Sequence, residues 1–128
     1  MPIKGWKNYW YGKYKIIDFL KNKLVTIDDK EPIINCRFDI MGNSSVFEKQ
    51  DIIQFIKKNS ETTFTKNVFL FNDGGKHFGI DNIYMGNINT MYKLIHYFFT
   101  ELDDILDKNN DTIHQELLVY RINSKLFE

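Results

Sequence analysis

The residues best suited to chemistry lie in the segment NDGGKHFGID, positions 72–81. There His77 is flanked by Asp73 and Asp81, the residue types of a general base or of part of a metal site. Asp73-Gly74, however, suits the positive φ angles of a tight hairpin turn, which gives Asp73 a backbone role. His77 and Asp81 would share a face of the return strand yet stand about 13 Å apart along it, too far to hold one metal. Gly74-Gly75-Lys76 lacks the glycine spacing and the following Ser or Thr of a phosphate-binding loop. Cys36 is the only cysteine, so the chain cannot form an internal disulfide and does not read as a Cys-based zinc site. With no base nearby in sequence, it reads as a small buried apolar residue. His96 reads as a surface or interface residue and His114 carries no readable signal. No catalytic residue, metal or cofactor is assigned, and the expectation is a protein that is not an enzyme.

A second pattern lies at the N-terminus. Trp6, Tyr9, Trp10, Tyr11 and Tyr14 interleave with Lys4, Lys7, Lys13 and Lys15. Single-stranded nucleic-acid binders combine stacking aromatics with cations in this way. The chain has only two arginines, Arg37 and Arg121, the preferred phosphate and base clamps, and its pI is near 6.8. Nucleic acid is therefore the weaker reading. The alternative packs the aromatics on a sheet while the lysine heads reach water.

The elements that would position these residues follow from periodicity. Lys15–Leu20, Lys23–Ile27 and Ile33–Met41 read as strands, the third with Ile34, Cys36, Phe38 and Ile40 on a buried face. Ser45 and Glu48 have capping-box spacing and open a helix that ends near Asn59. Val68–Phe71 reads as a central strand covered on both faces, followed by the Asn72–Gly75 turn and a return strand from Lys76 to Ile80, extending toward Met85. Gly86-Asn87 leads into a long helix that Asn109-Asn110-Asp111 stops, and Glu116–Ile122 reads as a last strand. The expected order is β-β-β-α-β-β-α-β. That is an α+β fold over residues 1–128, a single domain with one mainly antiparallel sheet of about six strands and two helices packed on it.

Composition narrows the function classes. The chain has 128 residues, 43% of them hydrophobic, and a formal net charge of zero. Residues 1–30 carry seven lysines against three aspartates, whereas residues 91–128 carry four basic residues against seven acids. The molecule is thus expected to have a positive and a negative end. The polar, lysine-rich N-terminus does not read as a secretion signal and no apolar run is long enough for a membrane span, so a cytoplasmic protein with no membrane partner is expected. The absence of alanine and the excess of Lys, Ile, Asn, Phe and Tyr fit AT-rich codons.

The long helix gives the clearest hint of a binding surface. At about 100° per residue, Met91, Leu94, Ile95, Phe98, Phe99, Leu102, Ile105 and Leu106 fall within one arc of about 140°. Opposite them lie Lys93, His96, Thr100, Asp103, Asp104, Asp107 and Asp111, the candidate partner-binding residues. The acids crowd the C-terminal half, where the helix dipole is already negative and each carboxylate costs about 0.3–1 kcal/mol. A face kept at that cost suits a basic partner.

In format, with its acidic Glu101-Leu102-Asp103-Asp104-Ile105-Leu106-Asp107 helix, the chain resembles the small immunity proteins of bacterial polymorphic-toxin systems, including contact-dependent growth inhibition. The resemblance covers length, composition and expected fold and includes no signature motif. It implies a cytosolic protein that binds and neutralises one cognate protein toxin, commonly a nuclease with a basic surface. A nucleic-acid-associated or phage-type accessory protein using the N-terminal segment is the alternative. The sequence leaves the oligomeric state open.

Overall fold

The computed structural model describes residues 3–23, 27–36, 49–70, 83–109 and 115–128. The elements run α1 (Ile3–Asn22), β1 (Ile33–Asn35), α2 (Lys49–Asn59), β2 (Val68–Phe69), β3 (Tyr84–Gly86), α3 (Ile88–Lys108) and α4 (Gln115–Leu126). Among the described residues the fold therefore has four helices and one three-stranded sheet, and the expected six-stranded sheet with two helices is wrong.

The largest correction is α1. The N-terminal segment, in which a strand was expected at Lys15–Leu20, is one helix of 20 residues. Trp6, Trp10 and Ile17 recur at helical spacing and are all buried. Trp10 stacks on Phe98 of α3 with centroids 4.2 Å apart, and Trp6 meets the same ring edge-on at 6.0 Å. Trp6 and Trp10 thus pack on α3, in a core that also takes in Phe69 and Tyr84 of the sheet. The expected last strand, Glu116–Ile122, lies within α4, where Leu118, Val119 and Asn123 are buried at helical spacing. No strand is present at Lys23 or Ile27, the described ends of the expected second strand.

The sheet is small and covered on both sides. Its order is β1-β3-β2, and both pairings are antiparallel. The strand at Val68–Phe69 is covered on both faces, but β3 is the central strand among the described residues. Side chains alternate strictly between two cores, as the pleat requires. Ile33, Phe69 and Tyr84 join the core built by α1, α3 and α4, with Phe69 stacked on Tyr84 at 4.6 Å. Ile34, Val68, Leu70, Ile83 and Met85 join Ile52 and Phe55 of α2 and Phe64 in the other core. A backbone bond from Leu70 N–H to Ile83 C=O, 2.9 Å, continues the β2–β3 ladder.

The expected helices at the end of β3 and before Asn59 are present. At Gly86-Asn87 the strand passes directly into α3. The Asn87 side chain accepts from Thr90 N–H, and Thr90 Oγ1 accepts from Asn87 N–H, both at 2.9 Å. This reciprocal cap satisfies donors that an open helix end would strand. The Asn87 amide also donates to Phe64 C=O at 3.1 Å, tying the cap to the loop before β2. Beside it, the Asn67 amide donates to Thr90 C=O and to Asn123 Oδ1, and Asn123 donates back to Asn67 C=O. These three links join the β2 approach, α3 and α4 through buried groups.

The Ser45–Glu48 cap, Phe38 and Ile40, the Asn72–Gly75 turn with Asp73, His77 and Asp81, and also Asp111 and His114 lie outside the described residues.

Candidate partner-binding face

The candidate residues of α3 do different work along its length. Lys93 is turned toward the end of α4. Its ammonium donates to Leu126 C=O at 2.9 Å and lies 4.9 Å from the Phe127 ring. A cation at a helix C-terminus is favourable, so Lys93 fastens two helices together. His96 is half-buried, stacked on Tyr92 at 5.3 Å and close to Tyr14 at 5.9 Å. Thr100 is exposed and its hydroxyl donates back to His96 C=O at 3.0 Å.

The acids lie one to two turns further on. Asp103 meets Lys7 of α1 at 2.8 Å, with 81% of its side chain exposed. Asp104 meets Lys108 at 3.0 Å, an i,i+4 pair in the favourable acid-first order. Hydrogen bonding to Asp104 and its charge raise the Lys108 pKa. Asp107 is exposed. Exposed pairs of this kind contribute about 0–1 kcal/mol each, so neither lysine locks its acid away from a stronger cationic partner.

A shallow groove of about 340 Å³ runs along the α1–α3 seam beside Asp103. Thr100, Asp103 and Phe99 form one wall; Lys7, Asn8 and Tyr11 form the other. Tyr11 leans on Phe99 at 6.0 Å while about half its surface stays in solvent. The α1 side of this groove was not singled out from the sequence as part of the α3 face. Only the helical phase of α1, which sets Lys7 and Tyr11 one turn apart, could have brought them to it.

Among the described residues, no group of three or more His, Cys, Asp or Glu side chains is placed to hold a metal. Cys36, expected to be buried, is exposed just beyond β1. None of the helices described is long and apolar enough to cross a membrane.

Neither a family model nor a curated protein nor a solved structure matches this chain.

Proposed function

We propose that the chain is a non-catalytic binding protein that neutralises a basic protein toxin, in the manner of the immunity proteins it resembles. The observation that carries this reading is the exposed acidic end of α3. Asp103, Asp104 and Asp107 are exposed at the helix end where negative charge is least favourable, and Asp103 also lines the groove. Carboxylates held this way attract a cationic surface over a distance and speed encounter. A nuclease must attract phosphates, so its active site is such a surface. Cytoplasmic residence belongs to the same reading, because a neutralising partner must meet the toxin where it acts.

The reading is tested by capturing the partner on the tagged chain in a lysate of its native cell and identifying it by mass spectrometry. The captured protein is then expressed with and without this chain. The expected result is a basic protein that arrests growth alone and not in the chain's presence. An acidic or harmless partner contradicts the proposal.

One observation favours the alternative of nucleic-acid binding. Tyr11 and Phe19 of α1 are each about half exposed, with Lys15 lying 5.9 Å from the Tyr11 ring. Against it, Trp6 and Trp10, the strongest stacking groups, are committed to the core. Salt-sensitive binding of a single-stranded oligonucleotide, lost on Tyr11→Ala with Phe19→Ala, would move the assignment to this reading.

A further inference from the structure

A second concavity, of about 200 Å³, opens between α1, β1 and α3, apart from the acidic end of α3. Its walls are apolar: Ile17 and Leu20 from α1, Ile33 from β1, and Met91 and Ile95 from α3. One end is polar, formed by the Lys13 amine, the Asn35 amide and the Cys36 thiol. The Lys13 ammonium donates to Asn35 Oδ1 and lies 4.7 Å from the centre of the Tyr9 ring. Among the described residues no carboxylate is paired with it. Burial disfavours the charged form and brings its pKa down to about 8, with the nearby Cys36 acting in the opposite direction.

A half-buried cation that none of the described carboxylates neutralises is costly, and an apolar side chain would fill this position without that cost. A ligand that brings an anion to the amine and an apolar body to the walls would satisfy both. We propose that this pocket binds a small carboxylate with an apolar tail, its head group on Lys13 Nζ and its chain between Leu20, Ile33 and Met91. The volume equals that of about seven waters at ~30 Å³ each, which suits a chain of about six to eight carbons.

Octanoate is the probe, titrated into the full ¹⁵N-labelled chain at pH 7, with octanol as the control that lacks the charge. The expected result is a set of amide shifts confined to residues 13–20, 33–36 and 91–95. Binding should weaken at least tenfold for octanol, for Lys13→Met and for Leu20→Trp, which fills the tail site. Affinity should also fall between pH 7 and pH 10 as the amine loses its proton. The titratable groups facing that amine are Tyr9 on α1 and Cys36 beyond β1, whereas α3 presents only Met91 and Ile95. The pH dependence should therefore persist in Cys36→Ser and vanish in Lys13→Met. Equal binding of octanol and octanoate, undiminished binding by Lys13→Met or Leu20→Trp, or absence of shifts at the pocket overturns the proposal. If Lys13→Met does not fold, the octanol comparison and Leu20→Trp still decide it.

Discussion

The Trp10 indole lies flat on the Phe98 ring, 4.2 Å between centroids and 12° between planes, and both side chains are essentially inaccessible to solvent. This stack is the centre of the α1–α3 seam. Replacing Trp10 with Ala should cost about 3–5 kcal/mol, read from denaturant unfolding. Native fluorescence should be blue-shifted, since Trp6 is buried as well. A loss under about 1 kcal/mol would mean that α1 is not docked as described.

Two glycines should respond with opposite signs. A Cβ on Gly86 would collide with Asn67 Oδ1 and Thr90 Oγ1; Thr90 Oγ1 is held by the Asn87 N–H in the α3 cap, and the Asn67 side chain is fixed through its amide NH2, which donates to Thr90 C=O and Asn123 Oδ1. Gly86→Ala should therefore destabilise by about 1–3 kcal/mol, the usual cost of overpacking. Gly12 sits mid-helix in α1, and beyond its chain neighbours and the helix's own backbone no atom lies within 4 Å of the position its Cβ would take. Gly12→Ala should stabilise by about 0.5–1 kcal/mol, because alanine restricts the unfolded chain and favours helix. Urea midpoints compare the two, and a shift of the same sign in both would contradict the geometry.

Lys13 makes stability depend on pH in a definite direction. Its pKa falls from 10.5 to about 8 on folding because burial disfavours the charged form. Below pH 8 both states carry the proton and the burial penalty is fully present. Between pH 8 and 10.5 the unfolded chain binds more protons, so this group's contribution to stability rises with pH. Relative to Lys13→Met, the parent should gain stability across that window, since other titrating groups are common to both proteins. A constant difference from pH 7 to pH 10.5, followed by thermal or urea unfolding, would show the amine to be hydrated.

Sequence and structure agree where one periodicity dominates. In α3 the apolar arc matches the buried face, with Met91, Leu94, Ile95, Phe98, Leu102 and Ile105 buried and only Phe99 and Leu106 partly open. In α1 the exposed Tyr11, Ile16 and Phe19 spread large apolar groups around the helix away from Trp6, Trp10 and Ile17, so no single stripe stands out. Gly5 and Gly12 weaken the helical signal further. In α4 the run Leu117-Leu118-Val119-Tyr120 has strand-like side chains, and the polar Asn123 occupies the buried face. Its hydrogen bonds to Asn67 are a tertiary contact across 56 positions, which local pattern does not register. The acidic residues of α3 were legible as a face. Their proximity to Lys7 and Tyr11 was not, because it depends on α1 being a helix.

The most direct test of the proposed function is the association kinetics of the captured toxin with the parent and with Asp103→Asn, Asp104→Asn and Asp107→Asn combined, at several salt concentrations. Stability should change little. The two exposed ion pairs lost contribute about 0–1 kcal/mol each, and relief of charge at the helix C-terminus offsets them. The account predicts a slower on-rate for the triple variant and a shallower dependence on salt, because exposed charges act mainly by steering. An unchanged on-rate and salt slope in a variant that remains folded would contradict it and remove the acidic end of α3 as the contact surface.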